Sequence, residues 1–263
     1  MITFAIVMEK GGVGKTTTVI ELAFGLARSG RRVLVVDADP QAKQANGLGL
    51  RNRIEPNQPS LYHVMVDEVP ISAVAVPSPS ASAHGRVDLV PGHRSLERVE
   101  DGLKSRHEPE PSHALSRALG QLESERPGYY DYALIDCPPS LGFLTISALL
   151  AANYVIIPVV TQQQPYESYP ETMGVISRAQ RRNPKLKVLG ILPTQFARAN
   201  SHDTGILELI RSNPEGVPVL TPAKRSTRYP EAYAGGVSIV DYDRDASTGY
   251  EMLVERVVGT VQG

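Results

Sequence analysis

The sequence predicts an α/β fold, a mostly parallel twisted sheet with helices on both faces. Three observations predict it. Apolar runs of strand length recur along the chain, and helical patterns fall between them. The runs read as continuous Val, Ile and Leu, as strands buried on both faces do. A glycine-rich loop joins the first run to the first helical segment, and alternation of this kind builds parallel sheets.

Strands are expected at residues 3–8, 32–36, 87–90, 132–135, 154–159 and 188–192, with a weaker one at 217–220. Helices are expected at 15–29, 112–125, 141–151, 170–182, 204–212 and 248–261. Residues 51–111 break the rhythm, being rich in Pro, Ser and His with weaker periodicity. No separate core is visible there. The segment therefore reads as an elaboration of one domain spanning residues 1–263. Within it, Pro77, Ser78, Pro79, Ser80, Ala81, Ser82 and Ala83 read as a mobile surface loop. No internal repeat is found.

Composition narrows the class. Of 263 residues, 41% are hydrophobic and 21% charged, ordinary values for a globular protein. A chain of this length buries roughly three quarters of its unfolded surface, so no disulfide or metal staple is required. The single cysteine, Cys137, excludes an internal disulfide framework and suggests a reducing, cytoplasmic setting. It reads as a small packed side chain rather than a nucleophile. The apolar N-terminus is short and runs into a glycine loop, so it reads as a buried strand rather than an export signal. It also leaves no room for an N-terminal DNA-binding domain. No apolar stretch reaches the length of about 18 residues that spans a bilayer. The net charge of −1 argues against a globally basic coat but allows a local basic patch.

Lys10, Gly11, Gly12, Val13, Gly14, Lys15, Thr16 and Thr17 follow a strand and open a helix, the setting a phosphate-binding loop requires. The glycines let backbone N–H groups converge on one centre, and the helix N-terminus adds its positive dipole end. Lys15 supplies a point charge to the β- and γ-phosphates. The Thr16 hydroxyl is placed for Mg²⁺, and Thr17 reaches a further phosphate oxygen. Asp37 and Asp39 stand just past a strand, at the edge where parallel sheets bind ligands. The residues alone are equally consistent with capping the next helix. Asp136 ends another apolar strand, where it can hold Mg²⁺ through water. Pro138 and Pro139 stiffen the loop that follows.

The second lysine of the loop, Lys10, carries a resemblance. The run from Lys10 to Thr17 resembles the deviant phosphate loop of the ParA/MinD family of ATPases, most like the ParA (Soj-type) partition branch. Residues 3–49 and 129–160 carry the likeness most strongly. It continues in residues 190–194 and 231–236. The resemblance implies ATP or ADP with Mg²⁺ as ligands and a homodimer joined by ATP. It implies that Lys10 reaches the partner's nucleotide, much as an arginine finger does. Asp39 would orient the attacking water, Asp37 would support the Mg²⁺ shell or the loop, and Asp136 would belong to the second switch. The adenine pocket would fall near Thr194, Thr221 and Pro222. Three departures stand out: Met8-Glu9 before the leading lysine, Ala197, and the proline-rich run Gln164, Pro165, Tyr166, Glu167, Ser168, Tyr169 and Pro170.

Branches of the family differ in their partners. Partition ATPases bind non-specific DNA, which calls for a basic face. From Arg178 to Arg228 there are ten Lys or Arg against three acids, a local excess of +7. Lys224, Arg225 and Arg228 form the tightest cluster and are the candidate DNA contacts. The tail from Tyr250 to Gly259 has one basic residue and two acids, so it reads as a helix packed on the core rather than a membrane anchor. One cysteine is too few for the iron-protein branch. No C-terminal tyrosine cluster points to a kinase, and the six histidines are scattered. The expected function is a nucleoid-associated ATP switch that holds DNA and hydrolyses ATP slowly until a ParB-like centromere-binding partner stimulates it. The same motifs would serve a positioning ATPase for a protein cargo or an ATP-dependent small-molecule synthetase.

Overall fold

The computed structural model describes residues 1–55, 57–80, 85–161, 168–213 and 215–260. Residues 81–83 of the expected loop, 164–167 of the proline-rich run and 261 of the expected last helix lie outside them.

In chain order the first half runs β1 (Ile2–Ile6), α1 (Lys15–Arg28), β2 (Arg32–Asp37), α2 (Gln44–Gly47), α3 (Leu61–Val66), α4 (Ile71–Val74), β3 (Val76–Pro77) and β4 (Arg86–Val90). A 3₁₀ turn (Arg94–Arg98) then leads into α5 (Val99–Ser105), α6 (Ala114–Glu125) and β5 (Tyr132–Asp136). The second half runs α7 (Phe143–Ala151), β6 (Tyr154–Val160), α8 (Tyr169–Arg182), β7 (Lys187–Thr194), α9 (Ser201–Arg211), α10 (Tyr229–Ala234), α11 (Ile239–Tyr242) and α12 (Arg244–Gly259).

The strands form one sheet in the order β3-β4-β2-β5-β1-β6-β7. Every pairing is parallel except β3 with β4. Alternate residues of each strand face opposite sides. Phe4, Ile6, Val33, Val35, Leu134 and Ile156 join a cluster with Val19 and Leu22 of α1 and Leu253 and Val257 of α12. Ala5, Leu34, Val36, Ala133, Ile135 and Val155 join the opposite cluster, covered by α3, α6, α7 and α8. This is the helix-on-both-faces arrangement that the apolar runs require.

Besides shifts of a few residues at several ends, such as α12 beginning at Arg244, three segments depart from expectation. β1 stops at Ile6, although Val7 and Met8 are buried and the Val7 N–H donates to Ile156; the Met8 carbonyl accepts from Lys15 instead of a strand neighbour. Residues 217–220 form no strand. Val219 makes only an isolated parallel bridge to Ile191, since Pro218 has no N–H to give a ladder. Within residues 51–111 the described chain forms short helices. Leu61, Val64, Ile71, Val74, Leu96, Val99 and Leu103 pack into the same cluster as the sheet.

The β1, β2 and β5 carboxyl ends lie together. Asp37 of β2 and Asp136 of β5 are register partners on neighbouring strands. Ile6 of β1 pairs with Asp136 from the other side. The glycine loop therefore leaves the sheet at the point where ligands of parallel sheets bind.

Candidate nucleotide site

The loop from Lys10 to Thr17 curls back over the end of β1. Gly14 caps α1 with φ +90°, a left-handed conformation that a side chain would strain. Its carbonyl accepts from the Thr18 N–H at 2.8 Å and from the Thr18 hydroxyl at 2.7 Å. Val13 is buried, and its carbonyl accepts from the Thr194 hydroxyl at 2.8 Å. The Gln195 amide reaches the Gly12 carbonyl at 2.7 Å. The end of β7 thus buttresses the loop from below.

Two lysines behave differently. Lys15 is 6% exposed, and its ammonium donates to the Met8 carbonyl at 2.9 Å and the Lys10 carbonyl at 3.0 Å. Burial pushes its pKa below the ordinary lysine range, against the opposing pull of Asp136. The Lys10 side chain is partly exposed and makes no ion pair among the described residues.

Asp136 is the centre of the polar network. Its Oδ2 accepts from the Thr16 hydroxyl at 2.8 Å and from the Gln44 amide at 2.8 Å. Its Oδ1 is buried with no hydrogen-bond partner, as is Gln44 Oε1. Burial lifts the Asp136 carboxyl to about 6, against the Thr16 and Gln44 bonds that pull it down. Burial, and then the neighbouring Asp136, push Asp37 well above the ordinary carboxylate range. Both Asp37 oxygens take backbone N–H groups, from Asp39 at 3.2 Å and Gln44 at 3.1 Å. Both contacts hold the backbone of the loop that follows β2. Asp39 is partly exposed, and its Oδ1 accepts from the Gln41 N–H at 2.9 Å. Asp37 thus also takes the first N–H of α2, although Lys43 holds the cap position, while Asp39 accepts from Gln41 ahead of the helix.

These residues fit a hydrated divalent cation. Two buried carboxylates side by side repel each other, and two buried acceptor oxygens lack donors, a rare condition that a bound ion or its waters relieves. No group of three or more His, Cys, Asp or Glu is poised for a metal among the described residues. The oxygen donors here are Asp136 and the Thr16 hydroxyl.

The remaining expected residues are spread out. Thr17 stands partly exposed on the first turn of α1. Thr221 and Pro222 line an open pocket of about 390 Å³ with Phe196, Lys224 and Thr248. Thr194 lies outside that lining, with its hydroxyl turned to Val13. Cys137 is buried and burial raises its thiol pKa, which suits packing. Lys224 is exposed, Arg225 lies 3.9 Å from Asp203, and Arg228 lies 3.8 Å from Asp243. Eight of the ten cations divide between the two ends of β7. Arg178, Arg181, Arg182, Lys185 and Lys187 gather at the start of β7, and Arg198, Lys224 and Arg225 beyond its end. A strand of that length separates them by about 20 Å.

Sequence reading missed Gln44, the buried amide on Asp136. It stands seven residues after Asp37 but carries no pattern that separates it from Gln41 or Lys43. It also missed the buried Glu21 of α1, which accepts from Tyr233, Ser238 and the Ile239 N–H. No helix among the described residues is long and apolar enough to cross a membrane. Tyr250, Leu253 and Val257 of α12 are buried in the core.

A lysine-bearing glycine loop between β1 and α1, with strand-end carboxylates beside it, defines a P-loop nucleotide-binding protein. A family model described as an AAA domain matches residues 1–188. The chromosome partitioning protein ParA of Caulobacter vibrioides is 34% identical over 259 residues, covering 97% of this chain and 92% of that protein. The sporulation initiation inhibitor protein Soj of Bacillus subtilis is 32% identical, covering 95% and 94%. Among solved structures, cobyrinic acid a,c-diamide synthase of Mycobacterium smegmatis, with a bound ATP analogue and magnesium, is 32% identical. It superposes with a TM-score of 0.83 and covers 98% of this chain and 94% of that one. The chain belongs to the ParA/MinD-type family of P-loop ATPases.

Proposed function

We propose that the protein is an ATP-driven partition switch that dimerises on ATP, holds non-specific DNA, and releases it on hydrolysis stimulated by a ParB-like partner. One observation carries the reading. The loop has two lysines, and only Lys15 is spent on its own chain, whereas Lys10 has no ion pair among the described residues. A free ammonium at the rim of a phosphate site is suited to a nucleotide held by a second copy.

The parts then divide as follows. Lys15 and the loop N–H groups hold the β- and γ-phosphates of ATP. Thr16 and Asp136 hold Mg²⁺, which supplies neutralisation of phosphate charge. Gln44 keeps the Asp136 carboxylate turned to that site. Asp39, partly exposed at the mouth, orients the attacking water, and Asp37 holds the backbone that carries Asp39. Lys10 stabilises charge on the partner's phosphates. Thr221 and Pro222 flank the adenine. Lys224, Arg225 and Arg228 contact DNA phosphates in a cytoplasmic, nucleoid-associated dimer. Turnover is slow until the partner completes the site.

The test is binding to non-specific duplex DNA with ATP·Mg²⁺ and with ADP, across a salt series. The expected result is ATP-dependent binding that falls steeply with salt and is lost in Lys224→Ala/Arg225→Ala. ATP-driven dimerisation without DNA binding in either state overturns the partition role and leaves a positioning ATPase for a protein cargo. A second reading, an ATP-dependent amide-forming synthetase, is favoured by the likeness to the Mycobacterium synthase. Turnover that requires an added metabolite would establish that reading instead.

A further inference from the structure

An open pocket of about 620 Å³ lies between the chain leaving α2 and the end of α10. Asn46, Arg51, Asn52 and Arg53 form one wall, and Tyr233 and Gly236 belong to the other. No carboxylate lines it among the described residues. Arg51, Arg53, Asn46 and Asn52 are all exposed, and none of their side chains makes a hydrogen bond or ion pair among the described residues. Four donor-bearing side chains therefore line one concavity with no carboxylate supplied by the described residues. Some exposed arginines have a carboxylate at hand, Arg106 2.7 Å from Asp67 and Arg211 2.7 Å from Glu208, whereas Arg51 and Arg53 share one concavity with two amides and no carboxylate.

The two walls are held by backbone contact. Gly49 and Gly236 both have positive φ, +70° and +66°. A Cβ on Gly236 would stand 2.6 Å from the Gly49 Cα. A side chain at position 236 would not allow this approach, so backbone meets backbone between the walls. The pocket also joins two parts of the molecule. α2 opens at Gln44, whose amide is on Asp136, and α10 is capped by Arg228.

We propose that this pocket binds a phosphate group through the Arg51 and Arg53 guanidiniums, with the Asn46 and Asn52 amides as further donors. Guanidinium groups match phosphate oxygens with paired hydrogen bonds, and the volume suits a nucleotide-sized ligand. The phosphate comes from one of two sources, a DNA backbone or a small phosphorylated metabolite. The DNA source rests on the partition reading above. Phosphate binding by the pocket does not.

The experiment uses the full chain with its nucleotide site saturated by ADP·Mg²⁺. Inorganic pyrophosphate and a short duplex DNA are titrated separately into the parent, Arg51→Ala/Arg53→Ala, and the charge-matched control Arg98→Ala/Arg256→Ala. The exposed positions leave folding intact, checked by equal melting temperatures. The same DNA titration is repeated with ATP·Mg²⁺. Pyrophosphate binding weakened roughly tenfold or more in the pocket variant, and unchanged in the control, supports the proposal. If DNA binding also loses about two units of salt slope in that variant, the source is the DNA backbone. If only pyrophosphate binding falls, the source is a small phosphorylated molecule. Parent protein that binds pyrophosphate but no DNA removes the partition reading and leaves the pocket standing. Pyrophosphate binding that is absent, or equal in parent and pocket variant, overturns the proposal.

Discussion

The Thr16 hydroxyl donates to Asp136 Oδ2 across 2.8 Å and ties the first turn of α1 to the end of β5. Gln44 donates to the same oxygen, while Oδ1 has no protein partner. The carboxylate is therefore fixed on one side and available on the other. That asymmetry is what a cation site at the mouth of the phosphate loop needs, and it sets the first prediction.

Gln44→Leu removes one hydrogen bond to a buried carboxylate. Such bonds contribute about 1.5–3 kcal/mol. A chain of this size loses about 2–4 °C per kcal/mol. Thermal unfolding should fall accordingly, and the Mg²⁺-dependent part of the stabilisation by ADP should shrink. An unchanged melting temperature would show that the Gln44 contact carries no energy.

The two loop lysines should separate cleanly. Lys15→Ala is expected to abolish nucleotide binding in the monomer, since the buried ammonium is the proposed phosphate contact of its own loop. Lys10→Ala is expected to leave that binding within about twofold, a loss small on the scale of a single surface ion pair. It should lose the ATP-dependent dimer in sedimentation. A Lys10→Ala protein that dimerises on ATP like the parent refutes the contact in trans.

Asp39 stands partly exposed, with one oxygen turned to the Gln41 N–H. Asp39→Ala should keep ATP binding and dimerisation and stop hydrolysis, so that the DNA-bound dimer accumulates. Phosphate release at the parent rate would remove Asp39 from the chemistry.

Glu21 gives a pH dependence far from the phosphate loop. Burial pushes its carboxyl above the ordinary value of 4.5, against the Ile239, Ser238 and Tyr233 hydrogen bonds. The folded protein then holds this proton more tightly than the unfolded chain does. The stability this contributes is present below about pH 4.5 and is lost as pH rises through the higher folded value. Glu21→Gln cannot titrate. Melting curves from pH 4.5 to neutrality should show the parent losing ground to Glu21→Gln as pH rises. Parallel curves would mean that Glu21 titrates alike in both states.

The sequence by itself determined the strands of the central sheet, the loop from Lys10 to Thr17, and the carboxylates at the ends of β2 and β5. These signals are local. Val33, Leu34, Val35 and Val36 of β2 bury side chains on both faces, so that stretch must be apolar throughout and must end where solvent and ligand begin. The loop must be glycine-rich where its backbone turns left-handed at Gly14. Tertiary structure decided the rest. Gln44 meets Asp136 across 92 residues, Thr194 meets Val13 across 181, and Ser238 meets Glu21 across 217. No periodicity links such pairs, because each polar side chain finds its partner only once the strands are ordered. Charge counting carries no placement for the same reason. Cations close in sequence lie at opposite ends of β7, while Arg51 and Gly236, far apart in sequence, face one pocket. A count along the chain adds charges, but only the fold sets the distances over which they act.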